Sequence, residues 1–429
     1  MNHPPPPASP GSRPAASHPA DLIDAHTAMA TLGVKAQTLY AYVSRGLIRS
    51  INPDRRKASL YHREDIEALQ MRGRTRRATD NAAQRALRVG GGAVMHSAIT
   101  QIGELGPSYR GQLATDLALN GLVFEQCAEL LWSGLLPTAS TWQVPDVPPV
   151  FPEFVRVVRR NVGGGTQRLL ALLVEAWASC LGSDAEMAAS VPIIAARNVI
   201  HVMTGAIGLL RPTPAFAWCG RGQSIAQGLA RSLGVAASEE NLRWLNAALV
   251  LCADHELAPA TFAARIAASN GADIHACISS ALGASEGFST GLGCNLAEHL
   301  LRSARTPKGY VATLAREARQ KQSLAGYNHS LYPRGDPRAL TLMALIADSR
   351  KLGAQGALAL RCIQAAREQL GAEPGLGIGL AALAIAGGHP PRTPAALMSL
   401  GRCAGWIAHI YEQRMAGFLV RPRAKYVGL

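Results

Sequence analysis

From Gly91 to the C-terminus, apolar residues recur with the three-to-four-residue period of helices that bury one face. Ala- and Leu-rich segments of this kind run over Leu117–Ser133, Gln167–Leu181, Ala189–Ile207, Leu242–Leu251, Ala258–Ala268, Asp273–Leu282, Ala339–Ser349, Gly356–Gln369 and Ala395–Gln413. Clusters of Gly and Pro separate them. Alternation of the β kind is confined to a short stretch near Ala98–Ile102, so the pattern predicts a mainly α protein. No internal repeat emerges. Gly163–Gly165 and Gly91-Gly92 lack the lysine or helix context of a phosphate-binding loop.

The first 90 residues follow a different pattern. Residues 1–20 are rich in Pro, Ser and Ala and cannot build a core, which predicts a disordered tail. Residues 21–71 then carry a compact module: a helix over Ala25–Leu32, a turn at Gly33-Val34, and a second helix over Lys35–Arg45 closed by Gly46. Ala28, Leu32, Val34, Leu39, Val43 and Ile48 are its expected core. Arg49–Tyr61 reads as a β-hairpin wing, and Arg63–Leu69 opens another helix. Leu32-Gly33-Val34, Thr38-Leu39-Tyr40, Tyr42-Val43 and Gly46-Leu47-Ile48 together resemble the winged helix-turn-helix of MerR- and excisionase-like proteins. In such modules the second helix enters the major groove and basic wings meet phosphates. The resemblance makes Gln37, Thr38, Tyr40, Tyr42 and Arg45 on the helix, and Arg55, Arg56 and Lys57 on the wing, candidate DNA contacts. A module of this shape can equally mediate protein contacts. Residues 72–90 form a basic linker to the domain at 91–429.

Charge sharpens this division. The chain carries 43 Lys and Arg against 29 Asp and Glu, a net charge of +14. Residues 1–88 hold 14 Lys and Arg against 7 Asp and Glu, half of the excess in about a fifth of the chain, which favours an anionic partner there. The 429 residues suffice for more than one domain. No apolar run reaches the length of a membrane span and no signal core opens the chain, so a soluble cytoplasmic protein without membrane contact is expected. Eight scattered cysteines form no CxxC pair and no metal-ligand spacing with the twelve histidines; they are expected to be reduced, and neither metal nor bound cofactor is implied.

The candidate chemistry lies in Leu324–Arg338, a turn-rich stretch containing His329 and Arg338. Loops held by a rigid helical scaffold are common sites of function. Gly326-Tyr327-Asn328-His329 followed by Asp336-Pro337-Arg338 resembles the substrate loop of citrate synthases. Asp254-His255-Glu256 with Thr261 and Arg265 resembles a second family segment. Tyr109-Arg110-Gly111, Leu130–Pro137, Gly401–His409 and Arg421-Pro422-Arg423 supply further matches in the family's order, covering roughly Gly91 to Leu429.

The resemblance implies a two-domain helical fold, with a small domain at roughly 293–388, working as a dimer. It implies condensation of acetyl-CoA with oxaloacetate to citrate, an acyltransferase reaction in which acyl-CoA is substrate. His329 then matches the residue that polarises the oxaloacetate ketone. His255 matches a substrate-binding histidine, and Arg338, Arg402 and Arg421 match arginines that hold carboxylates, the last usually given across the dimer. Two positions depart. Thr290 stands where the family has the histidine at the thioester oxygen, and Gly377 stands where it has the aspartate that removes the methyl proton. General acid or base catalysis contributes roughly 10²–10⁴-fold each, so turnover by the isolated chain is expected to be weak or lost. Glu373 and Glu286 are the nearest carboxylates that could act as a displaced base. A catalytic paralogue could also pair with this chain as a heterodimer. The alternative reading is a non-catalytic regulator, binding DNA or a partner, that senses a tricarboxylic acid cycle metabolite.

Overall fold

The computed structural model describes residues 97–160, 165–182, 192–287, 290–321 and 324–420, together with parts of 22–66 and residue 95. The chain divides into two compact units, Met1–His96 and Ser97–Leu429.

In the first unit, β1 (Leu22–Asp24) leads into α1 (Ala25–Leu32). Asp24 caps that helix, its Oδ1 accepting the Thr27 N–H at 2.7 Å. Two further strands, β2 (Ser50–Ile51) and β3 (Leu60–His62), pair antiparallel with Ser50 opposite Tyr61, and β1 adds to the other edge of β3. Residues 52–58, which would connect β2 and β3 in the expected wing, lie outside the described residues, and the third strand, β1, is unanticipated. Ile23, Ala28, Leu39, Ile48, Tyr61 and Ile66 form the core, with Leu32, Val34 and Val43 packed against it. The candidate DNA contacts Gln37, Thr38, Tyr40, Tyr42, Arg45, Arg55, Arg56 and Lys57 lie outside the described residues, as do the tail at 1–20 and the linker at 72–90.

The second unit opens on an antiparallel sheet of β4 (Thr100–Gly103), β5 (Gly106–Tyr109) and β6 (Gln112–Leu113). The sequence shows only its first strand, because Gly106-Pro107-Ser108 carries no alternation of apolar residues. Helices follow: α2 (Ala114–Leu119), α3 (Phe124–Ser133), α4 (Phe151–Arg160), α5 (Thr166–Leu181), α6 (Pro192–Ile207), α7 (Ile225–Leu233) and α8 (Glu239–Cys252). The remainder are α9 (Pro259–Ser269), α10 (Ile274–Ala284), α11 (Gly291–Ser303), α12 (Pro307–Lys321), α13 (Pro337–Ala347), α14 (Ala354–Leu370), α15 (Leu376–Ala386) and α16 (Thr393–Ala416). The single helix expected over Leu117–Ser133 is instead two, broken at Gly121, whose φ of +76° an α-helix cannot contain. One stretch, Ile193–Leu210, does reach the length and hydropathy of a membrane span, contrary to the sequence expectation; 72% of it is buried inside the protein, as in a core helix.

The 24-residue α16 is the axis of this unit, buried on nearly every side and packed against α8, α9, α11 and α15. Gly401 and Gly405 let it press on the end of α8. A Cβ at Gly401 would stand 2.6 Å from Cys252 Cβ, and one at Gly405 would collide with Asp254. The Gly405 N–H donates to Ala253 O at 2.9 Å, fixing the point where the chain leaves α8. That contact sets the position of Asp254 and His255.

Candidate active site

Three backbone hydrogen bonds stitch the 326–338 loop to the segment that enters α15. The Gly375 N–H donates to Gly326 O at 2.9 Å, the Asn328 N–H to Glu373 O at 2.8 Å, and the Asp336 N–H to Pro374 O at 2.8 Å. Asn328 also returns its side-chain oxygen to the Glu373 N–H at 2.8 Å. Gly326, at φ +83°, passes so close to α11 that a Cβ there would lie 2.9 Å from Ala297 Cβ. Each candidate histidine neighbours a residue in the left-handed region, Asn328 at φ +55° before His329 and Glu256 at φ +56° after His255. Asn tolerates that region; for Glu it is a strained choice of the kind found at functional sites. The Asp254 carboxylate supports it by accepting the Glu256 N–H at 3.0 Å.

The result is a cavity of about 400 Å³. His255, Thr290, His329, Arg338, Gly377 and Arg402, six of the seven positions singled out from the sequence, all line it. The seventh, Arg421, lies outside the described residues. The imidazoles of His255 and His329 meet edge to face, centroids 5.2 Å apart. Tyr332, given no role from sequence, joins the group. Its hydroxyl is 3.0 Å from His255 Nε2, its ring lies 5.2 Å from that of His329, and the Arg338 guanidinium sits 5.7 Å from its centroid.

Electrostatics favour an anionic ligand. Burial, then the positive charges of Arg338 and Arg402, hold the His255 pKa well below its ordinary value. His329 is lowered too, again first by burial and then by Arg338. Both rings are therefore neutral near pH 7. The Leu331 N–H donates to His329 Nδ1 at 3.3 Å, which places the ring proton on Nε2, as a hydrogen-bond donor for a carbonyl requires. Arg338 is 2% exposed and paired bidentately with Asp336, through Nε at 3.0 Å and Nη2 at 2.7 Å. Burial opposes its charge, but Asp336 outweighs that and raises its pKa. Its Nη1 is buried without a hydrogen-bond partner. Arg402 donates through Nε to Cys252 O at 2.9 Å, and burial followed by repulsion from Arg338 lowers its pKa. An unpaired Nη1 beside a second guanidinium suits a carboxylate.

The opposite wall is built differently. The Thr290 hydroxyl donates to Ser285 O at 2.6 Å, so its proton is directed into the backbone. Gly377 contributes no side chain, and the space a Cβ would take lies 3.1 Å from Cys294 Sγ. Burial pushes the Cys294 thiol up to about 12, so it stays protonated. Met398 Sδ is 3.9 Å from Cys294 Sγ, and Leu376 and Leu324 complete this side. Neither candidate displaced base reaches the cavity. Glu286 pairs with Arg168 at 2.7 Å, and Glu373 pairs with Arg367 at 3.0 Å. Among the described residues, no carboxylate lines the cavity. Arg265 is structural: it is 1% exposed and bound to His409, Gln413 and Glu412 of α16.

Comparisons with known proteins give the family and the fold. The family described as "Citrate synthase, C-terminal domain" matches residues 165–423. The citrate synthase of Mycolicibacterium smegmatis is 27% identical over 353 residues, covering 75% of this chain and 88% of that protein. A 2-methylcitrate synthase of Shewanella oneidensis is 30% identical over 203 residues, 46% of this chain and 53% of that protein. Among solved structures, citrate synthase from Thermotoga maritima superposes with a TM-score of 0.65 at 22% identity, covering 79% of this chain and 94% of that one. Citrate synthase from Thermoplasma acidophilum, solved as a ternary complex with carboxymethyl coenzyme A and oxaloacetate, also reaches 0.65 at 22% identity, over 78% and 94%. With a family match over more than half its length and the same fold in these neighbours, this chain belongs to the citrate synthase family.

Proposed function

We propose that this protein binds oxaloacetate or citrate, with acyl-CoA, in the cavity at Arg338 and Arg402, and that citrate synthesis by the isolated chain is weak or lost. In this reading His329 donates Nε2–H to the ligand's ketone or hydroxyl oxygen. Arg338, Arg402 and His255 hold carboxylates, and Arg421 completes the site across a homodimer or a heterodimer with a catalytic paralogue. The observation that carries the proposal is the state of the two proton-transfer positions: Thr290 spends its proton on Ser285 O, and Gly377 has no side chain. A methyl group next to a thioester is a poor carbon acid, and no carboxylate among the described lining residues can take its proton. The protein is proposed to be soluble and cytoplasmic.

The test is thermal melting of the full chain with oxaloacetate and with citrate, beside thiol release from acetyl-CoA and propionyl-CoA. Ligand at about a hundred times its Kd should add ~2.7 kcal/mol of stability, while thiol release stays near background. Turnover of about 1 s⁻¹ or more, within tenfold of the enzyme median, would sink the claim of lost chemistry. Absence of any ligand shift would sink the binding claim.

A second reading rests on the compact N-terminal unit with its own core around Leu39 and Tyr61. A winged helix-turn-helix at 21–71, joined by the 72–90 linker to the catalytic-family domain at 91–429, would make the protein a metabolite-sensing DNA-binding regulator. Salt-dependent binding of the whole chain to genomic DNA fragments, altered by citrate, is its expected signature. Equal retention of fragments by a chain lacking residues 1–90 would remove it.

A further inference from the structure

Tyr109, Arg265 and His409 stand out in the sequence but do not line the cavity. They meet behind His255, around the fully buried Asp254. The Tyr109 hydroxyl accepts the Asp254 N–H at 3.3 Å and donates to Val250 O at 3.1 Å, tying that residue to the last turn of α8. His409 of α16 is fully buried too, with Nε2 3.4 Å from Asp254 Oδ2 and Nδ1 2.9 Å from Arg265 Nη1. A guanidinium can only donate. His409 Nδ1 must therefore accept, and the ring proton sits on Nε2, directed at Asp254. Asp254 Oδ2 thus receives two hydrogens, that one and the Glu256 N–H at 3.0 Å. The second closes the left-handed turn at Glu256, φ +56°, a strained conformation that needs such support. The anchor behind His409 is fixed on several sides. Arg265 Nε donates to Gln413 Oε1 at 3.1 Å, and Nη1 also meets Glu412. Glu412 accepts the Ala98 N–H at 2.8 Å, and Gln413 donates to Phe418 O at 2.9 Å.

We infer that His409 is a positioning residue for His255. Anchored by Arg265, it holds the Asp254 carboxylate where it keeps the Glu256 turn, and the turn aims the His255 ring into the cavity, beside the Tyr332 hydroxyl. The inference rests on the proposed oxaloacetate site only for the affinity it predicts, since the placing of His255 is read in the free chain.

Histidine ¹⁵N spectra and calorimetric titration with oxaloacetate, on the full chain carrying His409→Gln or His409→Met, test this. Glutamine can accept from Arg265 and donate to Asp254, whereas methionine fills a similar space and does neither. Arg265 keeps Glu412 and Gln413 in both, so its charge stays compensated. Both substitutions should cost stability. Only His409→Met should move the His255 signals and weaken oxaloacetate about tenfold, with His409→Gln within about twofold of the native chain. Adding Glu256→Gly, which relieves the left-handed strain, to His409→Met should recover most of the lost affinity. Unchanged His255 signals and affinity in folded His409→Met, equal losses in both variants, or no recovery with Glu256→Gly overturns the inference. If His409→Met does not fold, Asp254→Asn decides. Its neutral oxygen holds the Glu256 N–H about half as strongly, so the His255 signals should shift and the Kd rise about threefold. No change in either overturns the inference. A native chain that does not bind oxaloacetate removes the proposed function, and the His255 signals still decide the role of His409.

Discussion

Restoring the two missing groups is the most direct probe of why this site should be silent. Gly377 is the second residue of α15, with ordinary helical backbone, so an aspartate fits there without left-handed strain. Near a helix N-terminus its carboxylate is also favoured in the charged, basic form. Space is the obstacle. The new Cβ would meet Cys294 Sγ at 3.1 Å, a contact that must open by a few tenths of an ångström. Overpacking of that kind costs about 1–3 kcal/mol. Gly377→Asp alone should therefore lower the melting temperature, and adding Cys294→Ala should recover most of the loss. The recovery itself tests the packing, independently of activity.

Thr290→His adds the donor for the thioester oxygen and frees Ser285 O. If the binding half is intact, the triple variant should release thiol from acetyl-CoA in the presence of oxaloacetate about 10²–10⁴-fold faster than the native chain. The gains of the single variants should be small and far from additive, since neither group works without the other. Stopped-flow thiol detection with and without oxaloacetate reads this directly. A native chain that already turns over as fast as the triple variant refutes the reasoning, because some other group must then be moving the proton.

Arg338→Met leaves Asp336, fully buried, without its cation, a loss of about 3–5 kcal/mol that should drop the melting point by roughly 6–20 °C; Asp336→Asn in the same chain should recover much of it without restoring oxaloacetate binding. Tyr332→Phe removes the 3.0 Å contact to His255 Nε2 and should weaken oxaloacetate several-fold, with a change in the His255 tautomer by ¹⁵N NMR; unchanged affinity and tautomer would make Tyr332 mere packing. Burial lowers His201 and His389 to about 4 each. Between that value and about 6.5 the unfolded chain takes up their protons and the folded chain does not, so stability should fall as pH drops through this window, by about 3 kcal/mol per histidine. Urea unfolding at several pH values should show the slope, and His389→Asn should reduce it.

The helical character of this chain is legible because most of its helices expose a polar face. The 3.6 period of Pro259–Ser269 and Ala354–Leu370 is visible for that reason. Leu376–Ala386 is not, since it is apolar on nearly every side and buried throughout its first nine residues, leaving no periodic signal. Gly291–Ser303 is hidden by the glycines at 291 and 293, which lower helix propensity but are needed where a Cβ at Gly291 would strike Gln167. In the site, His329, His255, Arg338 and Arg402 stand out by residue type and order. Cys294 and Met398 do not, because a thiol and a thioether in a helix read as core. Their place in the cavity depends on how α11 and α16 meet α15, which no local pattern carries.

The two halves of the cavity argue against simple decay of an enzyme. Replacing a buried ion pair by apolar groups of similar volume is often neutral or stabilising. A pocket without a ligand would have little physical reason to keep Arg338 with one nitrogen unpaired beside a second buried guanidinium. That arrangement costs stability in the free protein, and an anion recovers it on binding. On the other wall, the Thr290 hydroxyl donates to Ser285 O at 2.6 Å, and Gly377 lets Cys294 pack against the start of α15. There the polar groups are satisfied and the surface is closed. The charged end keeps a buried guanidinium nitrogen without a partner, and at the apolar end no carboxylate stands among the described residues, so the proposal of binding without deprotonation rests on both halves together.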